Sequence, residues 1–146
     1  MKIAILKERR PHETRVAATP ETIKKLKALG AEVTIEAGAG TAAAYTDEAY
    51  SEAGATIVPD AASALAAGDI VFKIQRPMTA EEGLDELALL RHGQTLMSPL
   101  GALTNRDLVQ ALASRGVTSF ALELIPRITR AQSMDILSSQ ANLAGY

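Results

Sequence analysis

The polar side chains best suited to chemistry lie near the end of the sequence, in residues 126–146. Gln132, Asp135 and Ser138 recur at a spacing of three, which places them on one face of a helix. Gln132 and Ser138 could hydrogen-bond a carboxamide or a sugar hydroxyl, and Arg127 could pair with Asp135 to fix the loop. The alternative is a polar helix end that supplies caps and intersubunit contacts.

Two cations are expected to meet at one edge of the predicted sheet. Arg15 lies in a long charged loop, residues 7–18, after the first predicted strand, and Lys73 ends the fourth. Doubly wound sheets bind ligands at the edge where their parallel strands end, so the pair could hold a carboxylate or a phosphate. Ion pairs with Glu8 and Glu13, or two solvated charges, are the alternative.

A glycine-rich segment after the second predicted strand matches a dinucleotide-binding fingerprint by its letters. Residues 38–43 read GAGTAA, and Asp60 follows at roughly the separation of a ribose-binding acid. That fingerprint, however, needs a strand that runs directly into a helix, and the next helix start is placed at Thr46. We therefore interpret the segment as a small-residue loop and Asp60 as a helix N-cap.

The residue types that bind metals or carry protons are scarce. The sequence has no cysteine, and its two histidines, His12 and His92, are far apart and are both expected at the surface. Most carboxylates fall in the first turns of predicted helices, where capping explains them. The sequence therefore predicts no metal site.

Short apolar runs alternate with amphipathic segments along the whole sequence. Strands are predicted over residues 3–6, 33–35, 56–58, 69–73, 94–97 and 117–122. Helices are predicted to begin after Thr19, Thr46, Asp60 and Asn105, at a capping box that starts at Thr79, and at about Ala131. This alternation predicts an α/β fold: a doubly wound, mainly parallel sheet with helices on both faces.

Bulk composition excludes several classes of protein. The 146 residues are 47% hydrophobic and 3% aromatic, which is enough for one domain with an aliphatic core. The formal net charge of -2 argues against a nucleic-acid-binding protein. We find neither a signal peptide nor an apolar run long enough to span a membrane, so a cytoplasmic location is expected.

Several motifs together carry a resemblance to one family. They are KERRP at residues 7–11, ETRVA at 13–17, KIQRP at 73–77, LGALTN at 100–105 and PRITRAQSMDILSSQANLAGY at 126–146. The sequence resembles the NAD(H)-binding alpha subunit of proton-translocating NAD(P) transhydrogenase, whose sister family is the alanine dehydrogenases. The resemblance covers essentially all 146 residues, but only the first segment of the longer family subunit.

The resemblance implies roles for the polar residues near the end of the chain. Arg127, Gln132, Asp135 and Ser138 occupy the family positions that contact the nicotinamide of NAD(H) and its surroundings. Among them, Arg127, Gln132 and Asp135 are expected to be catalytic. Spacing alone does not distinguish these roles from capping, and the resemblance is what favours them.

The two branches of the family differ at a proton shuttle. Alanine dehydrogenases carry a histidine just after the fifth strand, and this sequence reads SPLGA at residues 98–102. Residues matching Arg15 and Lys73 bind the substrate in alanine dehydrogenases, and transhydrogenases retain them without amino-acid chemistry. Direct hydride transfer between two nicotinamides needs aligned rings but no acid, base or metal, so the transhydrogenase branch fits better.

The function implied is hydride transfer between NAD(H) and NADP(H), coupled to proton translocation. NAD(H) is the cofactor expected on this component, and NADP(H) is expected on a partner beta component. A homodimer that also associates with the membrane domain is implied. The complex would hold this component in the cytoplasm, peripheral to the inner membrane.

The domain prediction is a single α/β domain over residues 1–146, the N-terminal domain of a longer subunit. The pattern stops at Tyr146 without a helix stop signal, and the NAD-binding domain expected next is absent from the sequence. The chain alone is therefore expected to be inactive and to bind NAD(H) weakly or not at all. An alanine-dehydrogenase-like amino acid dehydrogenase domain and a non-catalytic dimer or assembly fragment remain the alternatives.

Overall fold

The computed structural model describes residues 1–145, and Tyr146, where the polar stretch ends, lies outside the described residues. The strands are β1 (Lys2–Ile5), β2 (Glu32–Glu36), β3 (Thr56–Val58), β4 (Ile70–Phe72), β5 (Thr95–Ser98) and β6 (Thr118–Ala121). The helices are α1 (Pro20–Ala28), α2 (Asp47–Glu52), α3 (Ala61–Ala67), α4 (Glu86–Leu89), α5 (Arg106–Ser114) and α6 (Ile136–Ala144).

All six strands belong to one sheet, in the order β3-β2-β1-β4-β5-β6, and every neighbouring pair is parallel. The predicted strands and the doubly wound α/β class are confirmed. The chain winds outward from β1 to β3 and then returns to lay β4 on the other side of β1. The carboxyl ends of β1 and β4 therefore form the switch point, where sheets of this order open a ligand-binding crevice.

The sheet is covered on both faces because side chains alternate along each strand. On β1, Ile3 and Ile5 join a core cluster with residues of α1 and α2, and Ala4 joins a second cluster with residues of α3 and α5. The core is mainly aliphatic, as composition predicts, although Tyr50 of α2 is fully buried as well.

Side-chain caps fix the starts of the early helices where the sequence places them. Thr19, Thr46 and Asp60 accept hydrogen bonds from the backbone N–H groups of Thr22, Ala49 and Ser63, respectively. Each cap satisfies a donor that would otherwise be unpaired in the first helical turn. These helix starts are confirmed.

The other helix predictions need correction, although α5 does begin directly after Asn105 as predicted. No helix begins at the capping box at Thr79, because the Glu82 carboxylate binds two arginine side chains and the next helix, α4, starts only at Glu86. Asn105 precedes α5 but makes no side-chain cap, since its amide donates to the carbonyl oxygens of Leu100 and Gly101.

The helix expected from about Ala131 is instead broken in two. Thr129–Met134 forms a 3₁₀ segment, Asp135 leaves helical geometry with ψ of 99°, and α6 follows. The break occurs because the Asp135 side chain caps α6.

Within residues 1–145, none of the helices combines the length and apolar character needed to cross a lipid bilayer.

Candidate functional site

The polar residues near the end of the chain come together around one pocket. A pocket of about 260 Å³ is lined by Arg127, Ile128, Thr129, Gln132, Asp135 and Ser138. The 3₁₀ segment contributes Thr129 and Gln132, and the first turn of α6 contributes Ser138. The expected single helical face is wrong, because Asp135 interrupts the helix, but the four predicted site residues still line the same cavity.

Asp135 organises this pocket. Its Oδ1 accepts hydrogen bonds from the backbone N–H groups of Leu137 at 3.0 Å and Ser138 at 3.1 Å, and its Oδ2 accepts one from the Ser138 hydroxyl. These bonds, the Ser138 hydroxyl first, lower the pKa of Asp135. The carboxylate is therefore ionised and committed to the helix, which makes it a support of the pocket.

The predicted pair between Arg127 and Asp135 exists but is loose. Arg127 Nε lies 3.8 Å from Asp135 Oδ2, and the Arg127 side chain is 69% exposed. Gln132 is exposed as well. Arg127 and Gln132 therefore have donor groups that can reach a ligand in the pocket, whereas the Ser138 hydroxyl proton is already given to Asp135.

Lys73 lies at the switch point, in a buried ion-pair cluster. Its side chain is 2% exposed, and its Nζ is 3.3 Å from Glu8 Oε2 and 3.1 Å from Glu86 Oε1. Arg9 contacts the same oxygen of Glu86 at 3.5 Å and also binds Glu36. The sequence indicated Glu8 as an alternative partner of Lys73, and the structure shows this pair.

Backbone donors complete the solvation of these buried carboxylates. Glu8 accepts from the N–H of Ile74 at 2.7 Å, Glu36 from Lys7 at 2.9 Å and Glu86 from Met78 at 2.9 Å. Burial raises the pKa of Glu8 even though Lys73 and the Ile74 N–H act in the opposite direction. The cluster therefore joins the ends of β1, β2 and β4 to the loop before α4.

Arg15 and Lys73 do not converge on one anion site. Arg15 binds the Glu13 carboxylate through Nε at 2.8 Å and through a terminal guanidinium nitrogen at 2.7 Å. Arg15 lines a pocket of about 210 Å³ with Lys7 and Gly38, and Lys73 lines a separate pocket of about 260 Å³. Each cation already holds a carboxylate of the protein, which is the alternative that the sequence left open.

The pairing of Arg15 has an electrostatic consequence for Glu13. The Arg15 guanidinium, supported by the Gln75 side-chain amide, lowers the pKa of Glu13 to about 2. Glu13 is thus a fixed anion at any ordinary pH.

The glycine-rich segment has a structural explanation. The Gly38 N–H donates to both carboxylate oxygens of Asp47, at 2.9 and 3.1 Å, and Thr41–Ala43 forms one 3₁₀ turn. Asp60 accepts from Ser63 N at 2.7 Å and caps α3. The interpretation of Gly38–Ala43 as a loop and of Asp60 as a cap is confirmed.

The loop after β5 is held by a carboxylate that the sequence pattern did not indicate. Glu123 accepts from the backbone N–H groups of Leu100 at 3.0 Å and Ala102 at 2.8 Å. His12 and His92 are exposed, as predicted. In the part of the chain that the structure describes, no group of three or more His, Cys, Asp or Glu residues is arranged to hold a metal ion.

Sequence patterns gave no indication of the roles of Glu36, Glu86, Glu123 and Arg9. Their partners are distant along the chain: Glu86 contacts Arg9 across 77 positions, and Glu36 contacts Arg9 across 27. The only local signal was Glu36 as a charged residue at the end of a predicted apolar strand.

Comparison with known proteins gives a consistent result. The family model for the alanine dehydrogenase/PNT N-terminal domain matches residues 4–144. Among curated proteins, the chain is 64% identical over 146 residues to a protein of Rhodospirillum rubrum that is named as the first part of NAD(P) transhydrogenase subunit alpha, covering 100% of this chain and 38% of that protein. It is 36% identical over 145 residues to alanine dehydrogenase of Mycobacterium tuberculosis, covering 99% of this chain and 37% of that protein.

Solved structures show the same two branches. Transhydrogenase from Sinorhizobium meliloti superposes with a TM-score of 0.92 at 44% identity, covering 100% of this chain and 42% of that one. An L-alanine dehydrogenase superposes with a TM-score of 0.80 at 32% identity, covering 89% of this chain and 34% of that one. The chain therefore spans well under half the length of these relatives.

Proposed function

This chain belongs to the alanine dehydrogenase/PNT N-terminal domain family, and we propose that it is the N-terminal domain of the NAD(H)-binding component of a proton-translocating NAD(P) transhydrogenase. The complete enzyme would transfer hydride between NAD(H) and NADP(H) and couple this transfer to proton translocation. The role of this segment would be to position the nicotinamide of NAD(H).

The observation that carries the proposal is the pocket formed by Arg127, Gln132, Asp135 and Ser138. Its donors are a guanidinium and a side-chain amide, which match the amide and hydroxyl acceptors of a nicotinamide nucleoside. Its one carboxylate is engaged in capping α6. Hydride transfer between two nicotinamide rings depends on alignment, and a pocket with several hydrogen-bond donors suits that task.

Within this pocket, bound NAD(H) would supply the hydride, and the protein would supply orientation. We assign Gln132 to hydrogen bonds with the carboxamide of the nicotinamide and Arg127 to contacts around it. Asp135 holds the first turn of α6 and thereby Ser138, whose oxygen can still accept a hydrogen bond.

The proposal extends to the assembly. The name of the Rhodospirillum rubrum relative describes one portion of a subunit, which supports partner components for this chain as well. We propose a homodimer that meets an NADP(H)-binding beta component and a membrane domain, and that lies on the cytoplasmic side of the inner membrane. The rest of a longer subunit would supply the adenosine and pyrophosphate contacts of NAD(H).

An alanine-dehydrogenase-like activity is the second candidate, because an alanine dehydrogenase aligns with 99% of the chain and because Arg15 and Lys73 are present. The sequence of the loop after β5, with Glu123 bound to its backbone, counts against this candidate. That loop has no histidine to act as a proton shuttle. Reductive amination of pyruvate is the assay that would favour it.

The test uses a hybrid subunit, in which these 146 residues replace the matching segment of the Rhodospirillum rubrum relative. Transfer from NADH to a thionicotinamide analogue of NADP is followed after addition of the NADP(H)-binding component. We expect Gln132→Asn to lower kcat by about 100-fold with little change in NADH affinity, because misplacing a reacting ring by about 1 Å has an effect of this size.

The matched control is Gln110→Asn, an equal shortening on the exposed face of α5, which should leave kcat unchanged. The unmodified hybrid must itself transfer hydride. If it instead aminates pyruvate, or does neither, the transhydrogenase proposal is wrong. Calorimetric titration of the 146-residue chain alone should show no NADH binding in the micromolar range.

A further inference from the structure

A hydrogen bond joins the charged loop after β1 to the last helix. A terminal guanidinium nitrogen of Arg15 donates to Oε1 of Gln140 in α6 at 3.0 Å, across 125 positions of sequence. Gln140 lies one half-turn beyond Ser138, which lines the pocket of the proposed nicotinamide site. The contact therefore reaches the same helix whose first turn forms that pocket.

Arg15 is itself held in place from the sheet side. Its Nε and its other terminal nitrogen bind the two oxygens of Glu13, and the Glu13 side chain is only 6% exposed. Glu13 in turn accepts from the side-chain amide of Gln75, just beyond β4, at 2.6 Å. A chain of polar contacts thus runs from the end of β4 through Glu13 and Arg15 to Gln140.

Apolar packing secures α6 only weakly in the described part of the chain. None of the residues of α6 is buried, and Leu137 and Leu143 are exposed. Ile136 lines a pocket of about 260 Å³ together with side chains at the sheet edge such as Phe72 and Met97. The hydrogen bond from Arg15, whose guanidinium is already held by Glu13, is therefore a contact that can orient this helix.

We infer that Arg15 is a positioning residue that orients α6 through Gln140 and so sets the geometry of the pocket around Gln132 and Ser138. The inference rests on the proposed function for its kinetic consequence, and on the contacts alone for its structural one. Under the proposed function, it gives Arg15 a task that requires no amino-acid substrate.

The test compares Gln140→Leu, which removes the acceptor, with Gln140→Glu, which keeps an acceptor of similar length. Both are made in the hybrid subunit and in the 146-residue chain, with Gln110→Leu on α5 as the matched control. The measurements are amide hydrogen exchange of residues 136–144 in the chain, and kcat and NADH affinity in the hybrid.

We expect Gln140→Leu to speed exchange in α6 and to lower kcat about tenfold, the scale of one lost hydrogen bond to a charged group. NADH affinity should change much less than kcat. Gln140→Glu should leave both the exchange of α6 and kcat close to those of the unmodified protein, and Gln110→Leu should alter neither. Combining Arg15→Met with Gln140→Leu should be no worse than Arg15→Met alone, because both changes remove the same contact.

Wild-type exchange in the Gln140→Leu chain, or fully additive losses in the double variant, would overturn the inference. The inference would also be overturned if Gln140→Glu caused the same losses as Gln140→Leu. If the unmodified hybrid transfers no hydride, the proposed function fails instead, and the exchange data on the 146-residue chain still decide whether Arg15 orients α6.

Discussion

At the scale of single residues, Lys73 has the most demanding environment. Its ammonium group lies between the carboxylates of Glu8 and Glu86 with almost no access to water. A buried ion pair offsets its own desolvation only while every charged member is present. Removing the cation would leave two carboxylates buried together, and like charges at close range repel strongly in a medium of low dielectric constant.

We therefore predict that Lys73→Met destabilises the chain by about 3–5 kcal/mol, as measured by urea unfolding at neutral pH. Lys25→Met is the matched control, since Lys25 pairs with Glu21 on the exposed surface of α1 and should contribute almost nothing. Adding Glu8→Gln to Lys73→Met should recover some of the loss. Equal stabilities of the two lysine variants would show that the cluster is not a structural unit.

The cluster around Lys73 also shows how much of the environment of a single residue can be predicted from the sequence. The position of Lys73 at a strand end follows from a local apolar pattern, and its pairing with Glu8 could be named as an alternative. The roles of Glu86 and Glu36 could not, because burial of their charges depends on contacts with Arg9 that are 77 and 27 positions away. Asp135 was identified by its spacing together with the family resemblance, with helix capping left open as the alternative, and the structure shows that its side chain caps α6.

At the scale of elements, helix starts were predictable where the capping side chain had no stronger partner. Asp60 caps α3 as expected. Glu82 has the right spacing from Thr79 for a capping box, and it does accept from the Thr79 N–H, but Arg10 and Arg76 also bind its carboxylate. The ion pairs with two guanidinium groups stabilise this segment more than one helical turn would, so the segment forms turns and α4 begins later. The sequence around Glu82 therefore could not predict the effect of Arg10 on this segment.

The glycine-rich loop gives a prediction at the same scale. A Cβ on Gly40 would lie 2.5 Å from a ring carbon of Tyr50, which is fully buried, and 2.9 Å from Cβ of Tyr45. We expect Gly40→Ala to destabilise the chain by about 1–3 kcal/mol through overpacking, as measured by thermal or urea unfolding.

Gly38→Ala is the comparison, because its cost has another origin. Gly38 has a φ of +71° and nothing closer than 3.6 Å to an added Cβ, so we expect a loss of about 1 kcal/mol from backbone strain alone. Both variants should leave the NADH affinity of the hybrid subunit unchanged. Loss of NADH affinity at unchanged stability would return this loop to a dinucleotide-binding function.

At the scale of the whole molecule, the class of fold followed from the alternation of strands and helices, but the order of the strands did not. Placing β4 beside β1 brings Lys73 to Glu8, and this juxtaposition creates the switch point. Apolar runs such as residues 3–6 and 69–73 predict buried strands equally well in any order. In the folded chain, this order is accompanied by the packing of α3 and α5 on one face of the sheet and of α1 and α2 on the other.

The acid response of the molecule follows from several carboxylates at once. Arg15 lowers the pKa of Glu13 to about 2 from its ordinary value of 4.5, and the pKa of Glu82 is lowered further by Arg10 and Arg76. A carboxylate with a lowered pKa contributes stability that is present above its unfolded pKa and is lost as the pH falls through its folded pKa. Glu8 has the opposite sign, because burial raises its pKa, so it favours folding more as the pH falls.

Since the lowered groups outnumber Glu8, we expect the free energy of unfolding to be nearly constant from neutrality to about pH 5 and to fall steadily below it. Urea unfolding at a series of pH values down to about pH 2.5 measures this profile. Glu13→Gln should be less stable at neutral pH and should show a shallower decline in acid, because it removes one proton-linked group whose pKa depends on folding. An acid limb as steep as that of the unmodified chain would mean that Glu13 titrates normally and that its ion pair with Arg15 is not formed in solution. In that case the polar connection from Gln75 to Gln140 would lack its central link.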